Sequence, residues 1–184
     1  MDKLPLDILK IIFDLLDFKT KINLISTCNY LRQNLYITDL YNIDRKYLCE
    51  LTTSILKYHI FKNVISLDIS YNDKIKNISF MKKLKKLSIC GNNKIVQKSI
   101  KKLNLIEFDA GYSYKIIDTS FMKNLKILDA RGICGIDQNG INGLDLIELY
   151  VGDNKKIKNV SFMGNLKILS AYGSCGIDQN GINI

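Results

Sequence analysis

Cysteine and histidine are the residues from which a metal centre or a thiolate–imidazole pair is built, and this 184-residue chain has five of the first and one of the second, His59. No Cys-x-x-Cys occurs, so such sites have little to be assembled from, and His59 reads as a packing residue in a cap. Cys134 and Cys175 stand 41 residues apart at equivalent places in a repeated stretch, Cys134 to Ile141 and Cys175 to Ile182; two strands of a sheet would separate them by about 10 Å, too far for a disulfide. Asn139-Gly140 and Asn180-Gly181 are turn formers before they are anything chemical. The reading is therefore of a protein that is not an enzyme, with no catalytic residue, metal or cofactor. The odd cysteine count, without a signal sequence, fits a reducing, cytoplasmic setting.

The chemistry that does recur is electrostatic. Asp68, Glu107, Asp109, Asp129 and Glu148 fall at matching places in a repeat, against Lys86 and Arg131, with Tyr71, Tyr112, Tyr150 and Tyr172 close by. Such a face suits a basic, partly apolar, extended segment of another protein. The competing reading is that these acids only keep strand edges soluble.

The elements that carry these residues are periodic. Ser79-Phe80-Met81, Ser120-Phe121-Met122 and Ser161-Phe162-Met163 recur every 41 residues, as does Cys134 to Ile141 at Cys175 to Ile182. Each 41 holds two units, opened by Val64, Leu84, Leu105, Leu125, Leu146 and Leu166. Apolar residues follow each opener at plus 3, plus 5, plus 11 and plus 16, the last set being Phe80, Ile100, Phe121, Ile141, Phe162 and Ile182. Period-2 spacing at plus 3 and plus 5 turns both inward from one strand, which leaves plus 2, plus 4 and plus 6 to form the acidic face. Asn72, Asn92 and Asn154 occupy plus 8, where Ser113, Ile133 and Ser174 replace asparagine in the other units.

The amino-terminal segment has a different period. From Leu4 to Leu16 the polar residues Asp7, Lys10 and Asp14, continued by Asp17, share one stripe, and the rest of the helix is apolar. A helix apolar over that much of its girth needs a second buried face from outside a small domain. Thr20 can cap a second helix carrying Ile22, Leu24, Ile25, Cys28 and Leu31, with a third short stretch at Leu35 and Tyr36. Between helices and repeats, Tyr47, Leu48, Leu51, Ile55 and Tyr58 predict a helical lid with Asp44 ahead as a cap.

Two resemblances follow from these residues. Leu4-Pro5, Ile8-Leu9, Ile12-Phe13 and Leu16-Asp17, then Ile22, Leu24, Cys28 and Leu31-Arg32, resemble the F-box, the module that docks a Skp-type adaptor of cullin ubiquitin ligases. That resemblance implies adaptor contacts from Leu4, Pro5, Ile8, Leu9, Ile12, Phe13, Leu16, Leu24 and Leu31. The Leu-x-x-Leu-x-Ile strand with its asparagine turn resembles the leucine-rich repeat in a short form. A target would then meet Asp68, Glu107, Asp109, Asp129, Arg131, Glu148, Tyr150 and Tyr172. An Ile-, Lys-, Asn- and Tyr-rich chain of this design is similar to F-box repeat proteins of amoeba-infecting giant viruses, which would place it in host cytoplasm.

The expected fold class is α+β: a helical module over residues 1–40, a linker and cap over 41–62, and a solenoid of six coils over 63–184. The expected role is the substrate receptor of a cullin-type ligase. The alternative is a stand-alone repeat module, or a decoy that occupies the adaptor and delivers nothing. The formal charge of +9 lies wholly beyond residue 50, where 20 bases face 11 acids. Most lysines fall on turns and returns without interleaved aromatics, which argues against a nucleic-acid partner. A spanning helix needs about 20 apolar residues, so no membrane partner is expected either.

Overall fold

The structure, a computed structural model, describes residues 4–182. The outer limits of the first and last segments, at 1–3 and 183–184, lie outside the described residues. Helix α1 runs Leu6–Leu15, with Pro5 just ahead of it, where a missing N–H does no harm. The Pro5 carbonyl accepts the Leu9 N–H at 3.1 Å. Helix α2 spans Phe18–Thr27, and its cap is Asp17, not the expected Thr20. Asp17 holds extended backbone, its Oδ1 accepts the Thr20 N–H at 3.0 Å, and the Thr20 hydroxyl donates to Oδ2 at 2.5 Å. Thr20 is thus the residue being capped. Helix α3, Asn29–Asn34, completes the module.

Leu35 and Ile37 then lead into strand β1, Asp39–Leu40, which pairs in parallel with β2, Ser66–Asp68. The sheet therefore starts one strand before the repeat does. The segment expected to be a helical lid supplies one short helix, α4, at Arg45–Leu48, and two 3-10 turns at Ile55–Lys57 and His59–Phe61. Asp44 caps α4 as anticipated, accepting the Lys46 N–H at 3.0 Å. Leu48, Leu51, Leu56 and Phe61 are buried and close the first end of the coil stack. Tyr36 ties the helical module to this cap, its hydroxyl 3.1 Å from His59 Nε2.

Strands β3 (Lys86–Ser88), β4 (Glu107–Asp109), β5 (Ile127–Asp129), β6 (Glu148–Tyr150) and β7 (Ile168–Ser170) continue one parallel sheet in chain order. The chain is α+β, a parallel-strand solenoid entered through short helices. The register sets Leu67, Leu87, Phe108, Leu128, Leu149 and Leu169 side by side, as the plus-3 spacing requires. One apolar core runs from Phe13 and Ile25 of the helices through the coils.

The returns depart from expectation. Phe80 and Phe121 are only partly buried and Phe162 is exposed, although plus 16 reads as inward. In these units Asn77, Asp118 and Asn159 turn the chain by accepting the N–H of Ser79, Ser120 and Ser161 at 2.9, 2.8 and 2.9 Å. That turn sends Ile78 and Val160, then Met81, Met122 and Met163, into the core instead. The alternate units use a helical turn, α5 at Gln97–Ile100 and 3-10 turns at Asn139–Ile141 and Gln179–Gly181, and these bury Ile100 and Ile141. Gln97 and Gln138 each accept two backbone N–H bonds from the next return, so the two unit types lock together. This explains why the repeat is 41 rather than 20.

Asparagines hold the turns after the strands. Asn92 Nδ2 donates to the carbonyls of Ile69 and Asn72, and its Oδ1 accepts the Lys94 and Ile95 N–H groups. Ser113 substitutes by donating to the Ile89 carbonyl at 2.7 Å, whereas Ile133 at the same place is exposed. In the last coil Leu166, Leu169, Ala171 and Ile177 are only partly covered. Among the described residues no helix is long and apolar enough to cross a membrane.

Candidate functional site

Helix α1 presents two apolar faces. Phe13, 1% exposed, and the partly buried Leu6 turn inward to the core. Leu4, Ile8, Ile11, Ile12 and Leu15 turn outward and are between 41% and 83% exposed. At 3.6 residues per turn these five share an arc of about 100°. The stripe of Asp7, Lys10 and Asp14 separates the two faces on one side, and half-buried Leu9 and Leu16 separate them on the other.

This geometry sorts the residues that the F-box resemblance nominated. Leu4, Pro5, Ile8 and Ile12 are open to solvent, Leu9, Leu16, Leu24 and Leu31 are half-covered, and Phe13 is not available. Phe13 is a correction: enclosed in the core, it anchors the helix rather than meeting a partner. Ile11 and Leu15 take its place on the outer face. The helical period alone marked them as apolar, but it could not say which apolar face the domain would use.

The second surface is the solvent-facing side of the sheet. Lys86 Nζ lies 2.8 Å from Glu107 and 4.3 Å from the centre of the Tyr41 ring. Arg131 Nε contacts both carboxylate oxygens of Asp129 at 3.0 and 2.8 Å, and Nη2 reaches Oδ2 at 2.6 Å. The bonded Asp129 carboxylate, with the Tyr172 hydroxyl, raises the guanidinium's affinity for its proton. Ser88 donates to Asp109 Oδ2 at 2.8 Å and the Gly111 N–H to Oδ1 at 2.9 Å, yet burial prevails and pushes the Asp109 carboxyl up. Tyr150 donates to Glu148 at 2.7 Å. Asp68 accepts the Ser70 N–H at 2.8 Å.

Glu107, Asp109, Asp129, Arg131 and Tyr150 line one shallow hollow of about 250 Å³ with Lys86 and Tyr41. Asp68, Glu148 and Tyr172 lie outside its lining. Tyr41 follows a strand, β1, too short to show a period in the sequence. At the floor, a Cβ on Gly111 would stand 3.2 Å from Asp109 Oδ1, 3.4 Å from Asp129 Oδ1 and 3.6 Å from Cys90 Sγ. Glycine there leaves room where two carboxylates converge.

Beyond the strands the chain repeatedly turns through positive φ, at Tyr71, Gly91, Tyr112, Gly132, Asp153 and Gly173. Tyr71 lies over Gly91 and Tyr112 over Gly132, each ring where a Cβ would have to stand. The result is an exposed edge of Tyr71, Tyr112, Tyr114, Ile133 and Tyr172 on the side where the strands end. Rigid tyrosines of this kind bury contact area with little loss of side-chain freedom.

All five cysteines are free thiols. Cys134 is enclosed, and burial pushes its thiol up to about 11. No family model, no curated protein and no solved structure matches this chain.

Proposed function

We propose that this chain is an interaction protein, the substrate-receptor subunit of a cullin-type ubiquitin ligase. In this reading the outer face of α1 docks a Skp-type adaptor as an F-box does, and the sheet face and its tyrosine edge, as a leucine-rich-repeat surface, hold a target. The protein performs no bond chemistry itself. It acts by proximity, since tethering target and ligase raises the effective concentration of a target lysine near the ubiquitin carrier.

The observation that carries the reading is the outer face of α1, five large apolar side chains left open beside a completed core. Burying such side chains is worth about 1.5–3 kcal/mol each, so an uncovered stripe favours association. The F-box resemblance of the same segment supplies the partner's class. For the sheet face, Lys86 and Arg131 are neutralised by Glu107 and Asp129, so Asp68, Asp109 and Glu148 are left to meet a basic segment.

The test is capture by a purified Skp-type adaptor, comparing the intact chain with Ile8→Asp plus Ile12→Asp. Both positions are exposed, so the variant keeps its fold and loses capture. Equal capture by the two proteins overturns the reading. A decoy also captures the adaptor. Ubiquitin transfer to a co-purified protein separates the two: a receptor supports it and a decoy does not. Asp68→Lys plus Glu148→Lys that leaves target capture unchanged removes the sheet face from the account.

A further inference from the structure

The excess positive charge has a location. Because the strands are parallel, every loop that enters a strand lies on one edge of the solenoid and every loop that leaves lies on the other. The first four entering loops carry Lys62, then Lys82, Lys83 and Lys85, then Lys101 and Lys102, then Lys123 and Lys126, and no acid. At about 4.8 Å per strand they span roughly 14 Å. The remaining two loops add Lys167 and a single acid, Asp145.

Neighbouring groups leave that charge uncompensated. Among the described residues, none of these lysines makes an ion pair. They contact neutral acceptors: Lys83 Nζ donates to Asn63 Oδ1 at 2.8 Å, Lys85 to the Asn104 carbonyl at 3.3 Å and Lys126 to the Asp145 carbonyl at 3.2 Å. Apolar side chains share the edge. Strand entries alternate Ile65, Lys85, Ile106, Lys126, Ile147 and Lys167, and Ile65 and Ile106 are 46% and 42% exposed. Phe162, in the last entering loop, continues the exposed apolar set along the same side.

The geometry points to this edge as a docking surface for an anionic lipid bilayer, which the protein meets peripherally with lysines at the headgroups and isoleucines at the acyl boundary. Three features select that partner. The bases are all lysine, point charges suited to a diffuse negative surface rather than forks for a fixed carboxylate or base. Exposed isoleucines lie among them, and apolar burial is what an interface offers and a phosphate backbone does not. Most of the exposed rings that could stack on nucleobases, Tyr71, Tyr112, Tyr114 and Tyr172, stand on the opposite edge, and Phe162 alone does not make the interleaved set of rings and bases that a single-strand binder needs on one surface.

The test is co-sedimentation of the full chain with vesicles of phosphatidylcholine containing one-third phosphatidylserine, against phosphatidylcholine alone. The edge variant is Lys82→Gln, Lys83→Gln, Lys101→Gln and Lys102→Gln. A control variant removes the same charge from the other edge, by Lys74→Gln, Lys94→Gln, Lys115→Gln and Lys155→Gln. The expected result is binding only to the anionic vesicles, more than about tenfold weaker for the edge variant and within about threefold for the control, since the attraction of lysines to an anionic surface falls off within a Debye length. No binding, equal loss in both variants, or displacement from the vesicles by stoichiometric duplex DNA overturns the proposal. The edge variant is then offered to the Skp-type adaptor, whose capture depends on α1 and stays unchanged.

Discussion

Arg131 straddles the carboxylate of Asp129, two residues back in the same strand exit, and both side chains belong to the floor of the hollow on the sheet face. Asp129 is the more enclosed partner, at 13% side-chain exposure against 39% for the arginine. Arg131→Gln leaves that carboxylate without its cation. Because the pair is partly open to solvent, the loss is about 1 kcal/mol rather than that of a buried pair. Urea unfolding checks it, and a loss that disappears in high salt fits a screened pair.

Asp109 sets a pH dependence of unusual sign for a carboxylate. Burial raises its pKa above the ordinary 3.8, so just above that pH the folded chain binds more protons than the unfolded one. Stability from this group is therefore present at acid pH and falls as pH rises through the raised pKa. Asp109→Asn keeps an acceptor for the Gly111 N–H and removes the charge. The variant melts higher than the parent at pH 7, and the difference closes toward pH 3.

Gly132 has φ of +66°, and a Cβ there would stand 2.4 Å from the ring of Tyr112. Gly132→Ala therefore costs about 1–2 kcal/mol from backbone and ring displacement together. Pairing it with Tyr112→Ser recovers the steric part and leaves the conformational part. A thermal melt of the single and double variants separates the two.

The neighbours Met163 and Phe162 reverse the order that hydrophobicity suggests. Met163 is 5% exposed and Phe162 is 44% exposed. Met163→Ala loses about 2–5 kcal/mol, as a buried large-to-small change does, while Phe162→Ser loses under about 1 kcal/mol. Equal losses in denaturant titrations contradict the packing of the return.

The strand side of the coils was legible because its signal is redundant: plus 3, plus 5 and plus 11 repeat the same apolar demand in every unit, and a single unit could not bury it alone. The return was not, since the Asn77, Asp118 and Asn159 turns shift the inward position by one residue, exchanging Phe80, Phe121 and Phe162 for Met81, Met122 and Met163. No periodicity count registers that shift, because both residues are apolar. Strand β1 was hidden because two residues of extended chain have no period of their own. At the candidate sites, the acids of the sheet's outer face were readable from register. Their partners were not, since Tyr41 reaches Lys86 across two strands and the lysine edge is assembled from loops about 20 residues apart. On α1 the polar stripe was visible, but only packing decides that Phe13 serves the core while Ile11 and Leu15 stay outside.

The central claim is that another polypeptide covers the outer face of α1, and calorimetric titration with a purified Skp-type adaptor at several temperatures tests it most directly. The account predicts saturable binding with a negative heat-capacity change, the mark of apolar burial, abolished by Ile11→Ser plus Leu15→Ser in a chain whose melting temperature is unchanged. No binding, or binding with the same heat-capacity change after both substitutions, would contradict it.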